Sequence, residues 1–465
     1  MMERLSGLDA GFLYMETPTL HLHTLKIATV EHRDPQRPYS FQRFRDTLAE
    51  RLYLLPPFRR RVVHVPLDLD HPVWIEDPDF DIDKHLHRVV LPADAGPREV
   101  AKVVSEIAGR QLDRSRPLWE ITAVEGLAGG RTVFIAKLHH CLADGTAASE
   151  LLANVLMVSP DGKDATSPPP WTPDPIPSRR RLATAAAGSF ARRAANLPGL
   201  VRSTAKGLVA IAKHARASDV ESAVPFRTPK VAFHAALTPN RIYATVRLPL
   251  DELKRVRKLH GATLNDVFLA VATGALRAYL SKRGELPKVA LVAGVPASVG
   301  GEEPGRMSGN KVSNLFALLP VHLEDPRAQI AAISAAMKVA KERHVMIGPG
   351  VLEDWTEMSL QWPLGPFMRS WSRWKMSNRV GSPINLVASN VPGPRVPLFL
   401  GDTALVDLQS IGPILEGIGL NITAWSYVDI LSVAFLACPE HMPDLWDLAE
   451  AFPEALRALG ENGKS

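Results

Sequence analysis

Six prolines, Pro168, Pro169, Pro170, Pro173, Pro175 and Pro177, crowd into ten residues just past the first third of the chain. Each locks φ and lacks an amide hydrogen, so neither a helix interior nor a central strand can cross this stretch. The chain must therefore fold as two bodies and a connection. Its 465 residues allow for this, since single cores stop growing beyond about 250–300 residues. The sequence divides into an N-terminal domain over residues 1–160, a Pro-rich linker with a basic helical segment over 161–230, and a C-terminal domain over 231–465. Hydrophobic residues at 46% and charged residues at 22% suit packed cores and exclude a disordered chain.

Strand-like and helix-like stretches alternate through the first domain. Ser40 stands as an N-cap before Phe41, Phe44, Leu48, Leu52 and Leu55, which share one helical face. Pro97 opens a second helix, whose Val100, Val103, Val104 and Ile107 form a stripe suited to cover a sheet. Residues 132–138 are apolar and β-branched, a buried strand that runs directly into His139. The second domain starts with a strand at 242–248 and a helix at 263–279, then strands at 289–295 and 311–323 and a helix opened by Asp325 and Pro326. Strands at 384–391, 420–427 and 430–438 and a closing helix at 445–459 follow. This alternation predicts α/β layers in both domains.

Residues 179–216 carry nine cations and no anion, interleaved with Phe190, Leu197, Leu200, Val201, Leu208 and Ile211. They read as a basic amphipathic helix, or a helix pair broken near Pro198, made for an anionic lipid surface; the alternative is a solvated helix covering the domain junction. The segment has one aromatic residue and no base-reading motif, which excludes nucleic acid as a partner. The longest apolar runs, 289–299 and 430–438, fall short of the roughly 18 residues that a membrane span needs. Cys141 and Cys438 are too few for a disulfide framework or a four-cysteine zinc site, and the N-terminus lacks the order of a signal peptide. The expected location is the cytoplasm, at the inner membrane or a lipid-droplet surface.

Chemistry concentrates at His139-His140-Cys141-Leu142-Ala143-Asp144-Gly145. The two histidines end a strand, where successive side chains take opposite faces, so they do not share a metal site. Asp144 and Gly145 lie in the turn that follows, ahead of a helical run at 146–155. An alcohol attacking a thioester must lose a proton, and a neutral imidazole suits that task near pH 7. Asp144, as an ordinary carboxylate, is too weak a base and is expected in an orienting or ion-pairing role. Cys141 is expected to be a small buried residue, not a nucleophile.

The chain resembles the bacterial bifunctional wax ester synthase/diacylglycerol acyltransferase family, within the coenzyme-A-dependent acyltransferases that include chloramphenicol acetyltransferase. The resemblance rests on Leu8-Asp9-Ala10 with Phe12-Leu13 and Glu16, on Leu112-Asp113-Arg114 with Arg116-Pro117-Leu118-Trp119-Glu120, and on the histidine motif. Asn265-Asp266, Gly309-Asn310 with Val312-Ser313-Asn314, Ser389-Asn390-Val391-Pro392-Gly393-Pro394, Leu420-Asn421-Ile422 and Ser426-Tyr427 add to it. It implies two chloramphenicol acetyltransferase-like domains with an active-site tunnel between them, His140 as the base facing the tunnel and His139 facing the core. It implies acyl-CoA as a substrate with no cofactor, and diacylglycerol or a fatty alcohol as acceptor. Pro117, Leu118 and Trp119 are expected to line the acyl or acceptor channel. Asn265 and Asp266 sit in a capping box opened by Thr263, which is their expected role. Ser389 and Asn390 border the coenzyme A site or merely turn the chain, with Asn390 a candidate donor to substrate. Two other readings remain at this stage: a condensation-type acyltransferase with another acceptor, and a non-catalytic lipid-binding scaffold.

Overall fold

Two six-stranded sheets organise the chain. The computed structural model describes residues 2–32, 40–143, 173, 175–217, 223, 226–298, 312–347, 351–358, 361–400 and 403–461. Asp144, Gly145, the helix expected at 146–155, Pro168, Pro169 and Pro170 of the proline cluster, Gly309 and Asn310 lie outside the described residues. The first sheet runs in the order Phe399–Leu400, Thr403–Ile411, His23–His32, Thr132–His139, Trp119–Leu127, Leu86–Ala95, with the last two strands paired in parallel. The second runs Val312–Leu319, Leu291–Ser298, Leu386–Val391, Leu420–Tyr427, Ile430–Ala437, Ile242–Pro249. Here Leu386–Val391 pairs in parallel with both neighbours. Both halves are thus α/β, and all six strands of the second sheet fall within a few residues of their expected places.

Helices form where caps and apolar stripes call for them. Ser40 Oγ accepts from the Arg43 amide at 3.4 Å and starts Phe41–Arg51, whose Phe44 and Leu48 are buried. Pro97–Ala108 buries Val103, Val104 and Ile107 in a cluster with Leu25 and Ile27 of the first sheet and Tyr243 and Leu436 of the second. At Leu264–Lys282, Thr263 and Asp266 exchange the reciprocal bonds of a capping box, at 3.2 and 3.0 Å. The closing helix is two helices, Leu445–Glu450 and Phe452–Gly460, because Pro453 in the first turn of the second has no amide to continue the first.

Two departures from local sequence signals follow from tertiary packing. Of the two alternatives for residues 179–216 the single helix forms, Arg179–Ala217, and it runs through Pro198. The proline forfeits one amide donor, and the buried face of Leu182, Ala186, Ser189 and Leu200 holds the helix across that gap. The second departure is Thr403–Ile411, which leaves the C-terminal half and pairs antiparallel with His23–His32. Ser432 Oγ donates to Asp407 at 2.6 Å and the Tyr243 hydroxyl donates to Gln409, so this strand joins both sheets. The first sheet is therefore completed by residues from beyond position 231.

Candidate active site

Pairing sets His139 opposite His23 on the neighbouring strand, and alternation then divides the two motif histidines. His139 is fully buried. Its Nε2 lies 3.6 Å from one oxygen of Glu16, and His23 Nε2 lies 3.3 Å from the other. Arg114 pairs with the same carboxylate and also donates to the Leu13 carbonyl at 2.8 Å. The His139 Nδ1 accepts the Cys141 amide at 3.2 Å, which puts the ring proton on Nε2, toward Glu16. Burial favours a protonated Glu16, but the two imidazoles and Arg114 outweigh it and hold the carboxyl well below its usual range. Burial also drives His139 down, and His23 down to about 3. The cluster is thus an anion matched by a guanidinium and flanked by two neutral rings.

Glu16, His23 and His139 bring three potential ligand atoms within 4.8 Å of one another. Their chemistry does not fit a cation. Arg114 already answers the carboxylate, and the accepting Nδ1 of His139 leaves the proton on the nitrogen that would have to coordinate.

His140 emerges from the strand end on the opposite side. Its amide donates to the Leu22 carbonyl at 2.8 Å, and its ring stacks on Phe12 at 4.3 Å between centroids and 24° between planes. It lines a cavity of about 220 Å³ between the two sheets. Phe12 comes from the helix Gly7–Met15, Thr24 and Lys26 from the first sheet, and Asn314, Ser389 and Thr423 from the second. Cys141, by contrast, is fully buried, and burial pushes its thiol well above the usual range. It has the environment of a packing residue, not of a nucleophile.

The remaining candidates scatter. Ser389 lines the His140 cavity together with Val387 and Val391, as alternation along one strand requires. Asn390 points to the other face and is not among the lining residues. Pro117, Leu118 and Trp119 do not line this cavity. Leu118 and Trp119 are buried in the first core, where Trp119 stacks on Phe58 at 4.6 Å and His85 at 4.4 Å and donates its indole N–H to the Phe58 carbonyl at 2.7 Å. Packing claims them because an indole in a core needs its one donor satisfied. Asp266 is occupied by its cap and by Ser334 Oγ at 3.2 Å, and Asn265 is half-buried beside it. Asp144 and Gly145 lie outside the described residues.

Sequence reasoning missed Lys26, Ser410, Asn421 and Thr423 as cavity residues, and it missed that Glu16 and Arg114 meet at His139. A signal for the second was present: Glu16 and Arg114 each sit in one of the motifs that carry the resemblance. Gly393 of the Asn-Val-Pro-Gly-Pro run also finds its reason here. A Cβ on Gly393 would collide with the Ser426 carbonyl and the Trp425 indole, while its amide donates to Ser426 Oγ at 3.0 Å.

Two α/β halves with a histidine at their seam define a chloramphenicol acetyltransferase-like acyltransferase fold. Residues 5–268 match the wax ester synthase/diacylglycerol acyltransferase catalytic domain, and residues 308–460 match the C-terminal domain of the same proteins. The chain belongs to the wax ester synthase/diacylglycerol acyltransferase family. Two putative diacylglycerol O-acyltransferases of Mycobacterium tuberculosis are each 38% identical to it over 99% of this chain, covering 90% and 97% of their own lengths. Among solved structures, a wax ester synthase/diacylglycerol acyltransferase from Marinobacter aquaeolei VT8 superposes with a TM-score of 0.69 at 24% identity, covering 98% of both chains. The first condensation domain of the CDA synthetase gives 0.60 at 16% identity, covering 99% of this chain and 97% of that domain.

Proposed function

We propose that this chain transfers a fatty acyl group from coenzyme A to the hydroxyl of diacylglycerol, with long-chain alcohols as second acceptors. The observation that carries the proposal is His140, held by its amide and by Phe12 at the edge of a chamber walled by both sheets. The imidazole takes the hydroxyl proton as the oxygen bonds to the thioester carbonyl. The tetrahedral intermediate then collapses, the C–S bond breaks, and the departing thiolate takes the proton back from the imidazolium. A ternary complex of this kind needs no acyl-enzyme and no cofactor. The chamber's roughly 220 Å³ falls below the ~300–1,000 Å³ of sites that enclose whole ligands. It suits the reacting ends of two long substrates.

Incubating the purified protein with labelled palmitoyl-CoA and diacylglycerol, hexadecanol or small amines tests this. Triacylglycerol is the expected main product, with wax ester from hexadecanol. Product with the amines alone would overturn the acceptor class in favour of a condensation-type transfer, the chemistry suggested by the second structural likeness.

The long helix gives the proposal its setting, a membrane or lipid-droplet surface. Among the described residues no helix is long and apolar enough to cross a membrane. Arg179–Ala217 packs one face inward and leaves Phe190 61% exposed, with Leu197 and Val201 exposed along the same side; Arg181, Arg192, Arg202 and Lys206 are exposed as well. Leu67, 87% exposed at a positive φ, stands on the turn just before Leu69, whose carbonyl is reached by Arg193. Exposed apolar side chains and exposed cations on one helix fit an interfacial helix on anionic lipid. Replacing Arg181, Arg202 and Lys206 with glutamine is expected to lower sedimentation with phosphatidylglycerol vesicles, most strongly at low salt. Unchanged binding of that variant at low salt would rule this surface out.

A further inference from the structure

We infer that Lys26 is a further catalytic residue of the transfer proposed above, binding the negative charge that develops on the acyl carbonyl oxygen. Among the described residues lining the His140 cavity, Lys26 alone carries a formal charge at neutral pH. It is 5% exposed, and a desolvated ammonium is costly to maintain unless fixed partners hold it. Here they do. Lys26 faces Ser410 across the paired strands His23–His32 and Thr403–Ile411, and its Nζ donates to Ser410 Oγ at 2.6 Å. The same ammonium lies 4.5 Å from the centroid of the Trp425 ring. One tether thus comes from the crossover strand and the other from the second sheet, so the cation's position depends on the two halves being assembled.

A fixed positive pole in a small chamber is what an acyl transfer requires at its hardest moment. As the acceptor oxygen bonds to the thioester carbon, the carbonyl π pair moves onto oxygen; when the C–S bond breaks, that pair returns. The ammonium keeps its three protons throughout and changes no bond. It contributes because its charge is already oriented before the oxyanion forms.

The test compares Lys26→Met, Lys26→Arg and Ser410→Ala with the wild type in palmitoyl-CoA-dependent transfer, with thermal melts on each. Lys26→Met is expected to lower kcat about 10²–10³-fold, the range for loss of one oxyanion donor, with little change in KM for the acyl donor. Lys26→Arg keeps the charge and should recover part of kcat, a rescue that loss of a merely structural lysine would not show. A folded Lys26→Met with wild-type kcat overturns the inference. Should that variant not fold, Ser410→Ala decides: releasing the tether should cost kcat about tenfold through misplacement, and an unchanged kcat overturns it. Wild-type transfer that His140→Ala abolishes establishes the underlying reading separately, so an indifferent Lys26 would sink this inference alone. A wild type that transfers to no acceptor sinks both.

Discussion

His140→Ala is expected to reduce acyl transfer by about two to four orders of magnitude, the contribution of a positioned general base, while the protein melts close to the wild-type temperature. The two halves of this result have different causes. On the proposed mechanism the rate falls because the half-exposed ring at the chamber's edge is the group aimed at the reacting hydroxyl, and water is a poor substitute for it. Stability persists because what fixes the local backbone is the 2.8 Å bond from the His140 amide to Leu22, which alanine keeps. Truncation sacrifices the stacking on Phe12, a contact worth about 0.5–1.5 kcal/mol. Transfer rates and melts on the purified variant provide the measurement. Near-normal turnover would move the base elsewhere, and the buried, proton-donating environment of His139 leaves that ring poorly placed to serve.

Why one of these histidines was legible from sequence and its surroundings were not has a physical explanation. Alternation along a strand is local, so the parting of His139 and His140 could be read from the run 132–140, and it appears in the structure. Caps are local too: Ser40, Pro97 and Thr263 each start the helix they announce. The cavity wall is not local. Lys26 and Ser410 stand 384 positions apart and meet only because Thr403–Ile411 crosses into the first sheet. Its Thr-Ala-Leu-Val-Asp-Leu-Gln-Ser-Ile sequence hides this. The polar Asp407, Gln409 and Ser410 belong to a strand buried on both sides, where their partners come from other strands, so neither pure alternation nor a continuous apolar run marks it. Trp119 shows the same limit from the other side: a tryptophan inside a motif invited a substrate role, and its stacking on Phe58 and His85, which come from elsewhere in the chain, is equally non-local.

Loss of His139 should produce the opposite phenotype to loss of His140. In His139→Ala the buried Cys141 amide loses the Nδ1 that accepts it, and an orphaned buried donor costs on the order of 1–3 kcal/mol. Activity should fall with it, because that bond shapes the turn that carries His140. The cluster also writes a pH signature. His23, held down to about 3 by burial in the native state, titrates near 6.5 when unfolded. Between those values the unfolded chain binds a proton that the native chain does not, so stability rises with pH and is lost on acidification from about 6.5 downward. His139, also lowered, adds to this slope. Glu16, lowered despite its burial, acts in the same direction: its contribution is complete above its unfolded value and disappears as pH falls through the native one. Melting temperature followed from pH 8 to pH 4 should therefore decline on the acid side for the wild type. His139→Ala should begin lower and decline less steeply, since one of the two neutral buried rings has gone. A wild-type melt that is flat over that range, or a His139→Ala melt that matches the wild type, would show that the Glu16 cluster does not hold the turn in the way its geometry implies.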